Sequence, residues 1–329
     1  MTELRHKSNR HIVKRIIVRA TLVLATPTCL GSGDADSPMD LSLLRDSISN
    51  HALLTGSSIA GALRNYLRER NQGYEESDRR HNLAAKLFGD LFAYQDERDK
   101  TETEKIQLKE QDSQSPLIID DGISTQPIKA ELRDGVKINS ITRTAADKAK
   151  YDLELLQAGT EFPLSFELLI EKEANQADLL QGLAIALQGL EQGEISLGMK
   201  KRRGFGCCQV QEWQVWNFNL QDASDRISWL LFDRECTNKL PVITNKIADT
   251  LGVVLKEGED KRDRFCLHAK FILVGSLLIR SGQDSPICAP DVVQLKSHRP
   301  EQSKEAVAVL SGTSLAGVLR HRAERIVNT

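Results

Sequence analysis

Gly56-Ser57-Ser58-Ile59-Ala60-Gly61-Ala62-Leu63-Arg64 returns near the C-terminus as Gly312-Thr313-Ser314-Leu315-Ala316-Gly317-Val318-Leu319-Arg320, so one unit has been used twice. In each copy the hydroxyl residues after a glycine can cap a helix start. Apolar residues follow at helical spacing: Ile59, Leu63 and Leu67, then Leu315, Leu319 and Ala323. Each copy therefore reads as a glycine-hinged loop feeding an amphipathic helix. Such a helix start presents unpaired backbone N–H groups and the positive end of a dipole, which suits a phosphate. The same residues also serve an ordinary capped helix.

Upstream, residues 12–25 are rich in β-branched side chains, with alternation around Val13, Ile16, Val18 and Thr21, and read as a strand. Basic residues from Arg5 to Arg15 ahead of this run resemble a secretory signal, but Arg19 interrupts the apolar stretch. A similar segment, Leu267-His268-Ala269-Lys270-Phe271-Ile272-Leu273-Val274-Gly275, precedes the second copy, where no signal peptide acts. Both are expected to be the first strand of a repeated unit. No apolar stretch approaches the roughly 20 residues that span a bilayer, so no membrane partner is expected.

Between strand and helix, residues 26–50 form a long Gly-, Ser-, Pro- and Asp-rich connection carrying Asp34, Asp36, Asp40 and Asp46. Connections of this length without secondary structure are usually functional or disordered. A calcium loop is excluded, because the positions that need Gly and Glu hold Met39 and Arg45.

Downstream come a charged break at 71–82, a helical patch at 83–92 and a charged, solvated insertion at 95–115. Strand character restarts at 117–119 and returns at 162–171, a helix is expected at 178–190, and a strand at 207–215. The order is that of an α+β, ferredoxin-like (RRM-like) βαββαβ module with large insertions. The expected organisation is a first module at 1–216, a connector at 217–262, and the start of a second module at 263–329. That second copy, incomplete as given, should need a continuation of the chain or a neighbour to cover its sheet edge and apolar face.

The net charge of −2 means that a nucleic-acid site must rest on local basic patches. One such patch is the glycine loop at 198–206, where Lys200, Lys201, Arg202 and Arg203 precede Gly204-Phe205-Gly206. It does not match GxxxxGK[ST]. Its glycines permit close backbone approach and its charges favour a phosphate backbone, although a solvated basic turn would look alike. Six scattered cysteines without CxxC read as reduced, mostly buried thiols of a cytosolic protein, so a cytoplasmic location is expected.

Taken in order, Gly31-Ser32-Gly33-Asp34, Arg45-Asp46, Gly56-Ser57-Ser58, Leu87-Phe88-Gly89, Gly135-Val136-Lys137-Ile138 with Arg143-Thr144, and Lys201-Arg202-Arg203-Gly204-Phe205-Gly206 resemble the signature of the RAMP superfamily. More narrowly they resemble the backbone subunits of type III CRISPR effector complexes. The resemblance covers about residues 12 to 216 and restarts at 263. Two modules in one chain resemble the fused backbone proteins of the III-D and III-E branches.

The resemblance implies an antiviral ribonucleoprotein in which a positive, RRM-like face holds the guide RNA while a thumb-like hairpin flips a base at intervals. The implied RNA contacts are Ser57, Ser58, Arg64, Thr313 and Ser314 at the helix starts, the glycine loop, and Lys137 and Arg143 on a thumb at 130–148. Partners would be guide RNA, target RNA and the other subunits of the complex. An Asp in the loop before the capped helix would act as a metal-dependent endoribonuclease on paired target RNA, with a divalent cation such as Mg2+. The tripeptide Asp36-Ser37-Pro38 selects Asp36, also as metal ligand, and its echo Asp284-Ser285-Pro286 selects Asp284. Asp40 and Asp291 in the same loops are the alternatives. The second copy has Lys296-Ser297 where the first has Arg45-Asp46, which weakens its case for cleavage. A non-cutting scaffold of the same complex is the other reading, and a RAMP-type nuclease processing precursor guide RNA is a third. Processing enzymes usually rely on a histidine, and neither His51 nor His81 has an evident partner in the sequence.

Overall fold

The computed structural model describes residues 11–33, 42–74, 82–89, 101, 114–139, 142, 144–232, 239–255, 258–280, 293–299 and 303–329. The β-branched run becomes strand β1 (Ile12–Leu24), which pairs antiparallel on both sides. Its neighbours are β7 (Glu161–Glu171) and β8 (Cys208–Asn219). Beyond β7 lies the short β3 (Leu117–Ile119), and beyond β8 the short β9 (Val242–Thr244), giving the order β3-β7-β1-β8-β9. Without β9, the order is that of the four strands of a βαββαβ unit, with its first and third strands central.

Side chains directly opposite in an antiparallel ladder share a face. The pairs Val18↔Phe166, Leu22↔Phe162, Val18↔Val215 and Ala20↔Trp213 therefore line one side of the sheet. There α1 (Gly56–Gln72), α2 (Leu83–Phe88) and α3 (Gln176–Glu191) close the main core. α1 contributes Ile59, Leu63 and Leu67, the residues whose spacing marked the helix.

The other side of the sheet is partly filled. Ile17, Trp216 and Phe218 form a second small core with Trp229 and Phe232, beneath and just beyond α4 (Ala223–Leu230). The Arg15 guanidinium lies 4.2 Å from the Trp229 ring, and that of Arg19 lies 5.3 Å from Phe232. The sheet face that an RRM leaves open for RNA is thus partly covered by the chain's own aromatic residues. The aromatic stretch after β8 buries more apolar area by folding back on this face than by facing solvent.

The connector continues through β9 and α5 (Ile247–Thr250) and is then tied to α1 by a charged cluster. Arg262 reaches Glu194 at 2.7 Å, Arg264 reaches it at 2.9 Å, and the Tyr66 hydroxyl donates to the same carboxylate at 2.7 Å. Burial pushes the Glu194 carboxyl up, but these donors outweigh it and hold it down at about 2. Asp260, bonded first by Arg262, is likewise held down at about 2.

Three ribbons stand apart from the main sheet. β2 (His51–Leu54) pairs with β4 (Gly122–Pro127), β5 (Ala130–Ile138) with β6 (Ala145–Leu156), and β10 (Lys296–Arg299) with β11 (Ser303–Ala308). The chain ends in α6 (Gly312–Val327).

The strand expected from Cys266 is absent. Residues 259–273 have neither helix nor strand, and Phe271, Ile272 and Val274 are exposed. Apolar patterning selects which residues suit a strand, but a ladder partner makes one, and among the described residues none runs beside this segment.

Candidate nucleic-acid interface

Segment 26–31, which leaves β1, is the hub on which three elements meet. Pro27 O accepts from Gly206 N at 3.0 Å, and Cys29 O from Met199 N at 2.9 Å, fixing the glycine loop. Thr28 pairs with Leu156 at the base of the β5–β6 hairpin. Leu30 and Gly31 hold the stem of the acidic loop, where Leu44 N donates to Leu30 O at 2.7 Å and Gly31 bridges Leu43.

Within the glycine loop the residues divide by role. Gly206 has φ +80°, and a Cβ there would sit 1.9 Å from Leu197 O. The close approach that its type was expected to offer a phosphate backbone is used by the protein's own chain. Phe205 is buried with Cys29, Leu153 and Leu155, which makes it an anchor and not a stacking platform. Gly204 is left-handed over open space. Between Lys200 and Gly204, Lys201, Arg202 and Arg203 form one tight turn in which Lys201 and Arg202 are exposed. Lys200 Nζ lies 3.7 Å from the Tyr151 ring of the hairpin. Burial lifts the neighbouring Cys208 thiol to about 12, so it stays an unreactive core group.

An antiparallel hairpin, β5–β6, occupies the residues at 130–148 where a thumb was expected and runs further, to Leu156. Lys137 is exposed on it, between the exposed Val136 and Ile138. Arg143 lies outside the described residues. Two carboxylates of the hairpin grip other elements. Glu154 accepts from Leu43 N at 3.0 Å and from the Arg45 guanidinium. Glu131, buried, accepts from Arg133 at 2.8 Å, Ser297 Oγ at 3.2 Å and His298 N at 3.2 Å.

Asp36, Asp40, Asp284 and Asp291 lie outside the described residues, but the stems of both loops are described. In the second, Leu295 N donates to Ile279 O at 2.7 Å and Arg280 bridges Gln294, repeating the rungs of the first. Asp46 accepts from Ser49 N, Ser49 Oγ and Ile48 N, and the Ser49 bonds hold its carboxyl below the usual range. It shapes a turn. His51 Nδ1 sits 2.7 Å from Ser124 O, a bond within the β2–β4 ribbon, and His81 lies outside the described residues. Among the described residues no group of three or more His, Cys, Asp and Glu side chains could hold a metal.

The helix starts are capped by the hydroxyl residue before the glycine, not by the pair after it as expected. Thr55 Oγ1 accepts from Ser58 N at 3.3 Å, while Gly56 N donates to the Asp121 carboxylate at 2.7 Å. A carboxylate therefore already stands where a phosphate was expected. Ser57 and Arg64 line an open pocket with Phe88 and Leu117 at the β3 edge of the sheet, and Arg64 donates to Gly89 O at 2.7 Å. In the second copy Ser311 caps α6 through Ser314 N at 3.2 Å, and Gly312 packs directly on Arg203 O. Thr313 and Ser314 are thereby brought to the basic turn, whereas Ser57 and Ser58 start a helix packed on Ile119.

Sequence reasoning missed Glu131, Asp121 and the partner role of Glu154. Alternation at Tyr151, Leu153 and Leu155 was visible and marks a ribbon face, but no local signal names the distant groups these carboxylates bind.

Residues 21–209, more than half of the chain, match the family model for the RAMP superfamily. No curated protein matches the chain.

Proposed function

The chain belongs to the RAMP superfamily of CRISPR-associated RNA-binding proteins, and from that premise we propose that it is a backbone subunit of a type III effector complex. In this reading it binds guide RNA together with the other subunits and cuts complementary target RNA. The carrying observation is the convergence on segment 26–31 of a basic turn, a hairpin with an exposed apolar tip, and the stem of an aspartate-bearing loop.

Each part has a physical task. Lys201 and Arg202 attract phosphates without reading sequence. Val136 and Ile138, flanking Lys137, are suited to wedge between bases and unstack them, as apolar side chains do elsewhere in nucleic-acid recognition. A strand opened in this way lets its backbone approach the in-line geometry in which a 2′-hydroxyl attacks the adjacent phosphorus. Asp36, or Asp40 in the same loop, is proposed to handle a proton or hold a cation there, with Asp284 or Asp291 as its counterpart in the second module. A divalent cation such as Mg2+ would supply charge stabilisation at the phosphate. Residues 263–329 carry the opening elements of that second module.

The test is cleavage of a guide-matched RNA by the assembled complex with Mg2+. Asp36→Ala should abolish one cut and leave assembly and RNA binding unchanged; Asp284→Ala should abolish another. A variant complex that still makes every cut removes that aspartate from the reaction. A wild-type complex that binds the target and makes no cut is the scaffold.

A further inference from the structure

We propose that the β5–β6 hairpin is a two-sided bracket in which Glu154 and Glu131 are positioning residues that hold the stems of the two acidic loops in fixed register. The proposal rests on the reading above only in taking those loops to be the cutting loops.

The geometry of the ribbon carries it. Glu131 is paired with Leu155 and Leu132 with Glu154, and neighbouring residues on a strand point to opposite faces. Glu154 and Glu131 therefore leave the hairpin on opposite sides. On one side Glu154 takes the amide of Leu43 and the guanidinium of Arg45, in the segment that closes the first loop. On the other, Glu131 takes the amide of His298 and the hydroxyl of Ser297, just beyond Leu295, which closes the second.

The two stems are built alike, by the Leu30–Leu44 and Ile279–Leu295 rungs, and the bracket grips each close to its rung, at Leu43 and Arg45 beside Leu44 and at Ser297 and His298 just beyond Leu295. Lys296-Ser297 stands where the first copy has Arg45-Asp46, and the structure explains the exchange. Ser297 is buried against a carboxylate that already has Arg133 as its cation, so a hydroxyl donor fits there and an Asp would be repelled. The loss of the acidic residue in the second copy is thus a docking requirement.

The bracket makes the spacing between the two stems a property of one ribbon, and therefore sets the interval between two cuts as well. The full chain and the guide-loaded complex test it together. Glu131→Ala should speed exchange of the His298 amide about tenfold, the loss of one charge-assisted hydrogen bond, and leave the Leu43 amide unchanged. Glu154→Ala should do the reverse. In the complex, Glu131→Ala should slow the cut assigned to the second loop about tenfold or more through misplacement, and spare the first. Glu131→Gln keeps an acceptor oxygen for His298 N and should restore much of that cut. Unchanged amide exchange in both alanine variants, equal loss in Glu131→Ala and Glu131→Gln, or parallel loss of both cuts in either alanine variant overturns the bracket. If the wild-type complex makes no cut, the cleavage reading fails and the amide exchange alone decides the bracket.

Discussion

α1 and α6 begin with the same motif and the same cap geometry, yet one is core and the other is surface. Thr55 and Ser311 sit at φ −71°, ψ 142° and φ −70°, ψ 139°, and each side chain accepts from the amide three residues on. Behind the cap, α1 buries Ile59, Ala62, Leu63, Tyr66 and Leu67, whereas α6 buries no residue. Local sequence sets where a helix starts; the sheet beneath it decides whether its apolar face is used. α1 has β1, β7 and β8 below it. α6 has the turn 201–203 at its first residue, and the segment expected to be its strand is exposed and has no ladder partner among the described residues.

The largest expected difference is in truncation of the matching leucines. Leu63 is fully buried, so Leu63→Ala should cost about 2–5 kcal/mol of unfolding free energy. Leu319 is 61% exposed, and Leu319→Ala should change stability by no more than about 0.5 kcal/mol. Urea denaturation of the two variants compares them directly. A large loss at Leu319 would mean that α6 is packed in solution against something that covers its apolar face.

Next come the two glycines. A Cβ at Gly56 would lie 2.3 Å from Ile119 O, and one at Gly312 2.3 Å from Arg203 O. The clash is the same but the neighbour differs. Gly56→Ala should strain the β3 edge and destabilise the first module by about 1–3 kcal/mol. Gly312→Ala should lift α6 off the basic turn, seen as faster amide exchange in 311–316, and leave the first module's unfolding midpoint where it was.

How much of this was legible follows the same division. β1, β7, β8, α1 and α3 were readable because their periodicity agrees with the one core they share. The strand at 266–275 was read on periodicity alone, and periodicity says nothing about a partner. In the site, the basic turn was legible from composition, and the hairpin only through the resemblance. The tasks of Phe205 and Gly206 were not, since a buried anchor and an exposed platform use the same residue types. Glu131 and Glu154 escaped because their partners lie 166–167 and 109–111 residues away.

A third contrast is in acid. The cluster of Glu194, Asp260, Arg262 and Arg264 secures the far part of α1 through Tyr66. Both carboxyls are depressed to about 2 in the fold, below their ordinary values of 4.5 and 3.8. A depressed carboxyl adds stability that is fully present above its unfolded value and is lost as pH falls through the folded one. The first module should therefore lose stability between about pH 5 and pH 2, and Glu194→Gln should flatten that slope. With its side chain 24% exposed, solvent screening keeps the Glu194 contribution to about 1 kcal/mol. An unchanged slope in Glu194→Gln would show that the cluster tethers the connector without stabilising α1.

The smallest effect sharpens the comparison most, because it concerns a feature that the two helices share. Replacing a capping hydroxyl by Ala removes an acceptor for an otherwise unpaired amide and costs about 1 kcal/mol at either helix. In α1 that cost is coupled to the core, so Thr55→Ala should lower the global unfolding free energy by about that amount. α6 itself buries no residue, so Ser311→Ala should fray only its own first turn. Exchange of the Ser314 amide should rise while the urea midpoint stays unchanged. If Ser311→Ala instead lowered the midpoint as much as Thr55→Ala, α6 would be coupled to the first module through the Gly312–Arg203 contact, and the two helices would differ in exposure without differing in cooperativity.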